Sequence, residues 1–77
     1  MRVDVKLFFH LRRHASDPSG HFSLELPAWA SAGQALATLG IPELPAKVLL
    51  INGRQARPAD KLREGDELVV FPPVEGG

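Results

Sequence analysis

The last seven residues, FPPVEGG at positions 71–77, carry the group in this sequence that is best suited to chemistry, the terminal carboxyl of Gly77. Pro72 and Pro73 stiffen the chain before it. Gly76 and Gly77 lack a Cβ, so the backbone can approach another molecule closely. A terminal Gly-Gly without further context is most often a frayed end. The residues before the Gly-Gly pair must therefore indicate whether this end of the chain is frayed or functional.

Histidine side chains are the other candidates for chemistry, as metal ligands. His10 and His14 have the i, i+4 spacing that brings two ligands together on a helix, but we predict a strand at His10. These two residues and His21 are therefore expected at the surface, without a metal. The absence of cysteine excludes a zinc-thiolate site and a cysteine nucleophile. The sequence also shows no Ser-His-Asp pattern, phosphate loop or carboxylate pair, so we expect no independent catalytic site.

The composition indicates one small domain with balanced charge. Nine Lys and Arg residues match nine Asp and Glu residues in a chain of 77, for a formal net charge of zero. This balance argues against nucleic acid as a partner. No apolar run approaches the roughly 20 residues that span a bilayer, and charges interrupt positions 1–13, unlike a signal peptide. Since cysteine is absent as well, we expect a cytoplasmic protein without a membrane partner.

Two amphipathic strands are predicted at the start of the chain. Apolar residues alternate with others through positions 3–11, and this period of two predicts a single half-buried strand. The alternation places Phe9 in the buried row and Phe8 on the opposite face. Turn residues at 16–20 and a second alternating stretch at 22–26 then predict a hairpin.

A short helix is predicted over residues 31–40. Ser31 can cap its N-terminus, and Gln34, three residues later, completes a capping box. Gly40 is suited to the C-terminal cap. Trp29 lies just before the helix, and we expect it to pack under the helix entrance, where its indole N–H should find a partner.

The second half of the chain supplies the remaining strands. The apolar run at 47–51 predicts a covered strand. The Asn-Gly pair after it predicts a tight turn, which a short strand can follow. The stretch ELVVF at 67–71 predicts the last strand. One helix on one face of a mixed sheet of four to five strands makes a two-layer α+β domain over residues 1–71. If the first and last strands pair, the extended, flexible tail of residues 72–77 leaves from the middle of the sheet.

Three stretches in this order carry a resemblance to a known family: LFF in the first strand, NG after the middle strand, and the closing LREGDELVVFPPVEGG. Together they make the whole chain strongly resemble the MoaD/ThiS family of sulfur carrier proteins. The resemblance implies a ubiquitin-like (β-grasp) fold. The double proline of FPPVEGG is more similar to the small subunit of molybdopterin synthase, the MoaD type, than to the carrier of the thiamine pathway.

The resemblance also implies the chemistry of the C-terminus. An E1-like enzyme would adenylate the Gly77 carboxylate with ATP-Mg, and a cysteine desulfurase or rhodanese-type donor would supply the sulfur that displaces AMP. The resulting thiocarboxylate would serve the large subunit of molybdopterin synthase or another sulfur-accepting enzyme. A terminal carboxyl, with a pKa of roughly 3.3 to 3.7, is ionised near neutrality and is a poor electrophile, so it needs this activation. No cofactor is expected on the chain itself.

A docking surface must accompany such a tail, because ordering its residues costs roughly 1 to 2 kcal/mol each. Six extended residues reach about 20 Å at roughly 3.3 to 3.6 Å per residue, enough to thread Gly76 and Gly77 into a partner's active site. We predict that Arg12 and Arg13 add charge contacts to an apolar partner-facing surface. Its predicted residues are Phe8, Val69, Phe71, Pro72, Pro73 and Val74.

Three alternatives remain open at this stage. The same carrier chemistry could supply sulfur for thiamine, for a thiolated tRNA or for cysteine. The activated Gly77 could instead be captured by a lysine amine, which would make the chain a ubiquitin-like protein modifier that forms isopeptides. Finally, the chain could be a ubiquitin-like interaction domain with an inert tail.

Overall fold

The structure is a computed structural model that describes residues 1–73. The predicted site residues Val74, Gly76 and Gly77 lie outside the described residues. Seven elements follow one another along the chain: β1 (Arg2–Leu7), a 3₁₀ helix (Phe9–His14), β2 (His21–Glu25), α1 (Ala32–Thr38), β3 (Val48–Ile51), β4 (Arg54–Ala56) and β5 (Glu67–Phe71). Within the described part of the chain, no helix is long and apolar enough to cross a membrane.

The five strands form one mixed sheet in the order β2-β1-β5-β3-β4. β5 runs parallel to β1, with Val5 opposite Leu68 and Leu7 opposite Val70, and antiparallel to β3. The last strand therefore lies at the centre of the sheet. This confirms the predicted α+β, β-grasp fold and the predicted pairing of the first and last strands.

The core lies between one face of this sheet and α1. Alternate residues of β1, β3 and β5 point into it, as a half-buried strand requires, and Ala35 and Leu36 of α1 cover them. Leu11 of the 3₁₀ helix and Leu62 of the loop before β5 close its two ends. The strand residues in this core are Val3, Val5, Leu7, Leu49, Leu68 and Val70.

Both ends of α1 have the caps that the sequence predicts. The Ser31 Oγ accepts the backbone N–H of Gln34 at 3.2 Å, and the Gln34 Oε1 accepts the N–H of Ser31 at 2.7 Å, which is a complete capping box. At the other end, Gly40 has a φ of 76°, and the N–H of Ile41 donates to the Leu36 carbonyl at 2.9 Å. These are the features of a Schellman motif. A helix of seven residues needs such caps because it is too short to be stable alone.

Two motifs that are distant in sequence form one hydrogen-bonded network at the start of β5. Asn52, in the tight turn after β3, accepts the backbone N–H of Glu67 and donates its side-chain amide to Asp66, both at 2.9 Å. Asp66 also accepts the N–H of Arg63 at 2.8 Å. Gly65 has a φ of 82°, which favours glycine at this position. The NG and GDE motifs therefore fix the end of β5 that is remote from the tail.

The predicted first strand is too long. β1 ends at Leu7, and residues 9–14 form the 3₁₀ helix, in which Phe9 has a φ of 56° and is 69% exposed rather than buried. The ladders end here, because the N–H of Leu7 donates to Gly20 and that of Phe8 donates to Val70, after which neither neighbouring strand supplies further pairs. The alternation continues in the sequence, but it has no pairing partner beyond this point.

The predicted position of Trp29 is also wrong. Its side chain is 77% exposed and does not pack under the helix. It is the third residue of a turn that the Ala30 N–H closes on the Pro27 carbonyl at 3.2 Å, and its φ is 71°. A turn with positive φ at this position is type II, which usually has glycine there. The turn directs the indole away from the core.

The close packing at Gly20 gives the first testable prediction. A Cβ on Gly20 would lie 2.5 Å from the Leu7 carbonyl oxygen, whereas one on Gly65 would have no neighbour within 4 Å, although the two φ values are 83° and 82°. Gly65→Ala should lower the free energy of unfolding by about 1–2 kcal/mol through backbone strain. Gly20→Ala should lose about 1–3 kcal/mol more through crowding. Urea denaturation measures both, and equal losses would contradict the close approach.

Candidate functional site

The candidate site surrounds the point at which the tail leaves the sheet. Phe71, the last residue of β5, pairs with Val48 of β3, and on the other side the Phe8 N–H donates to the Val70 carbonyl at 3.2 Å. Pro72 and Pro73 follow, and neither has an N–H that could extend the ladder. The tail therefore begins at a position that is held by both neighbouring strands.

Phe8 and Phe71 stack on each other at this position. Their ring centroids are 4.6 Å apart and their planes differ by 15°. Both rings are half-buried, and an aromatic pair of this kind contributes about 0.5–1.5 kcal/mol beyond the area it buries. The structure therefore brings together two of the residues that the sequence predicts as partner-facing.

Val69 lies on the same face but is less accessible than its neighbours, with 8% of its surface exposed. Its cross-strand partners are Lys6 of β1 and Leu50 of β3, and residues directly opposite each other share a face. Whether Val69 contacts a partner stays a prediction. Pro72 and Pro73 are half-buried beside this face, and Val74 lies outside the described residues.

Sequence analysis missed three further apolar residues at the site. Val48 and Leu50 are the cross-strand partners of Phe71 and Val69, so they lie on the face of the sheet opposite α1. They were missed because the continuous apolar run of β3 gives no sign of which residue faces which side. Phe9 was assigned to the core, but its exposed ring lies 6.5 Å from that of Phe8. We call Phe8, Val48, Leu50, Val69 and Phe71 together the apolar face.

A polar pair borders the apolar face on the side away from the tail. The Lys6 ammonium lies 3.2 Å from the Glu67 carboxylate, and both side chains are partly exposed. An exposed ion pair of this kind contributes at most about 1 kcal/mol to stability. Its main effect is to end the apolar surface, which is therefore confined to the half of the sheet nearest the tail.

The histidines do not form a metal site in the described part of the chain. His10 and His14 lie on the 3₁₀ helix, so the strand assignment used to set aside their i, i+4 spacing was wrong. His21 lies on β2. No group of three or more His, Asp or Glu side chains among residues 1–73 could hold a metal ion.

The fold and the site define a class of protein. A mixed sheet with its last strand at the centre and one covering helix is a ubiquitin-like, β-grasp domain. A family model described as the ThiS family matches residues 5–77, nearly the whole chain. The chain therefore belongs to the ThiS family. A comparison with curated protein sequences finds no match.

Solved structures agree with this fold. SAMP1 from Haloferax volcanii has 27% sequence identity and a TM-score of 0.77, and the match covers 100% of each chain. A putative molybdopterin converting factor, subunit 1, from Pyrococcus furiosus has 25% identity and a TM-score of 0.73 over 96% of this chain and 99% of that one. A chain from the complex of subunits 1 and 2 of the molybdopterin-converting factor of Helicobacter pylori shares the fold at 22% identity, with a TM-score of 0.64 and 100% coverage of both chains.

The stack gives a prediction with an internal control. Phe8→Ala should lower the free energy of unfolding by about 1–3 kcal/mol, because a half-buried ring and its stacking partner are lost. Phe9→Ala should change it by less than about 0.5 kcal/mol, because that ring is mostly exposed. A double-mutant cycle of Phe8→Ala with Phe71→Ala, measured by urea denaturation, should give a coupling of about 0.5–1.5 kcal/mol. A coupling near zero would contradict the stacked geometry.

Proposed function

We propose that this ThiS-family chain is a sulfur carrier that acts as the small subunit of molybdopterin synthase. An E1-like enzyme activates the Gly77 carboxylate, and the resulting thiocarboxylate gives its sulfur to the pterin precursor held by the large subunit. The supporting observation is the central position of β5, which starts the tail at a fixed point beside the apolar face. The family match, which runs through Gly77, supports the sulfur-carrier part of this proposal.

The proposed chemistry has two steps at one carboxyl group. A carboxylate oxygen of Gly77 attacks the α-phosphorus of ATP, and pyrophosphate leaves, so that the carboxyl becomes an acyl adenylate. Hydrosulfide released by the donor then attacks the carboxyl carbon, and AMP leaves with the shared oxygen, so that a thiocarboxylate and a proton remain. The chain has no cysteine that could hold sulfur as a persulfide, so the terminal carboxyl is the group that carries it. ATP and Mg belong to the activating enzyme, and we place this chemistry in the cytoplasm.

The apolar face gives this tail a means of docking. Ordering six tail residues in a partner costs roughly 1–2 kcal/mol each, so the tail needs binding energy from elsewhere. Burying apolar surface supplies about 25 cal/mol per Å², and the stacked pair Phe8 and Phe71 lies where the tail starts. With the domain docked at this face, six residues in a fully extended conformation would span about 20 Å, enough to reach a partner's active site.

The choice of molybdopterin synthase rests on the tail sequence and on one relative. FPPVEGG has the double proline of the MoaD type, and the Pyrococcus furiosus protein is described as a putative molybdopterin converting factor, subunit 1. A sulfur carrier for thiamine, tRNA thiolation or cysteine synthesis would use the same activated Gly77 with a different acceptor. The acceptor enzyme, rather than the carrier, determines which of these products forms.

A second candidate function is protein modification. SAMP1 from Haloferax volcanii, described as a small archaeal modifier protein, matches the chain over its full length at 27% identity. In this role a lysine amine would attack the activated Gly77 carbonyl carbon, and AMP would leave, so that an isopeptide bond forms. The activation step is shared, and the nucleophile distinguishes the two functions.

Intact mass spectrometry tests the carrier chemistry directly. After incubation with ATP-Mg, the E1-like enzyme from the same source and a sulfide donor, the chain should gain the mass of one sulfur and lose that of one oxygen. Deletion of Gly77 should abolish the change, since it removes the reacting carboxyl from its position. An unchanged mass, with an activating enzyme shown to be active on its own carrier, would overturn the proposal. Conjugates of higher mass that contain a lysine isopeptide would instead indicate the modifier.

Binding to the large subunit tests the role of the apolar face. Phe71→Ala and Phe8→Ala should each weaken the complex by about 10- to 100-fold, because central aromatic contacts contribute about 1–3 kcal/mol. Trp29→Ala is the matched control, since it also removes an exposed aromatic ring but lies at the other end of the sheet. Titration calorimetry on variants with an intact fold measures the affinities. Unchanged affinity for both phenylalanine variants would exclude the apolar face as the docking surface.

A further inference from the structure

Three cationic residues lie at the end of the sheet from which the tail leaves. Arg12 and Arg13 lie on the 3₁₀ helix, which follows β1 directly beyond the level at which Leu7 pairs with Val70. Lys47 lies on the other side, one residue before the pairing of Val48 with Phe71. The cations therefore flank the end of β5 from both neighbouring strands. We call Arg12, Arg13 and Lys47 the cationic collar.

Carbonyl groups hold two of these side chains in place without neutralising them. The Arg13 Nε donates to the His10 carbonyl at 3.4 Å, and the Lys47 ammonium donates to the Pro42 carbonyl at 3.0 Å and to that of Pro45. A cleft of about 250 Å³ lies between the 3₁₀ helix and residues 42–47. Arg13, Lys47 and two histidines line this cleft, and no acidic residue among residues 1–73 does.

No carboxylate in the described chain neutralises the collar. The ion pairs among residues 1–73 join the N-terminus and Arg2 to Glu25, and Lys6 to Glu67. Two acidic residues of the described chain lie near the tail end of the sheet, Asp17 and Glu43. The backbone N–H of Ser19 donates to Asp17 at 2.8 Å and lowers the pKa of its carboxyl, and Glu43 lines a second, mainly apolar cleft together with Lys47 but forms no ion pair with it.

Acidic residues concentrate instead at the opposite end of the sheet, near the first residues of β1 and β5. Paired strands fix this placement, because Asp4 is opposite Glu67 and Arg2 is opposite Glu25. Three arginines, Arg2, Arg54 and Arg63, lie at the same end, so they balance its acidic residues only in part. The acidic residues at the far end are Asp4, Glu25, Glu64, Asp66 and Glu67.

We infer that the cationic collar docks on an acidic surface of the activating enzyme, at the border of the site that receives the tail. This inference rests on the proposed function, because it concerns the enzyme that adenylates Gly77. Complementary charges at the rim of an interface mainly raise the association rate and fix the orientation of the partners. The collar therefore determines how efficiently the activating enzyme captures the carrier, and it leaves the chemical step unchanged.

Pyrophosphate exchange by the E1-like enzyme from the same source measures this effect. The double variant Arg12→Glu with Arg13→Glu should raise the KM for the carrier about tenfold and leave kcat unchanged. The KM of the unmodified carrier should rise with added NaCl, and that of the variant should depend on salt less steeply. Lys47 is left in place, because its ammonium bonds to two carbonyls of its own loop.

The matched control reverses two exposed arginines at the far end, Arg54→Glu with Arg63→Glu, and should leave KM unchanged. Urea denaturation of both variants identifies a folding defect, and the salt dependence of the unmodified carrier tests the inference without any variant. Each of three results would overturn the collar: an unchanged KM for the collar variant, an equal rise in KM for the control variant, or a KM of the unmodified carrier that does not depend on salt. In each case adenylation itself would still support the carrier function. If the unmodified chain is not adenylated by an active enzyme, both the carrier function and the collar are excluded.

Discussion

The parallel pairing of β1 with β5 is the interaction on which the rest of the structure depends. It brings the two ends of the sequence together, with Val5 opposite Leu68 and Leu7 opposite Val70, and it places the last strand between β1 and β3. A central strand is held by ladders on both sides, so its end is a fixed point in the domain. Because the tail starts at that point, its origin is as rigid as the sheet.

The same pairing determines which residues of β5 lie on each face of the sheet. Leu68 and Val70 point towards α1 and complete the core, whereas Val69 and Phe71 point to the opposite face. Phe8 can stack on Phe71 because β1 ends at the same level as β5. Alternate residues of one short strand therefore form the core and the apolar face that we propose for docking, in a chain of 77 residues with a small core.

Features that depend on neighbouring residues could be predicted from the sequence, and features that depend on a distant partner could not. The capping box of Ser31 and Gln34 and the C-terminal glycine of α1 involve contacts within a few residues, so their pattern is sufficient. The shared face of Phe8 and Phe71 followed from alternation once the two strands were paired. The exposure of Val48 was missed, because it depends on how β3 registers with β5. Trp29 was misplaced, because a left-handed residue in a turn gives no signal when it is not glycine.

Phe9 shows how a break in the pattern creates part of the site. Its left-handed backbone, with a φ of 56°, turns the chain out of β1 and into the 3₁₀ helix, at a cost of about 1–2 kcal/mol. Burial of Leu11, which contributes about 1.5–3 kcal/mol, offsets this strain. Had the strand continued as the alternation suggests, Arg12 and Arg13 would have extended away from the sheet. The turn at Phe9 therefore places Arg12 and Arg13 at the end of the sheet from which the tail leaves.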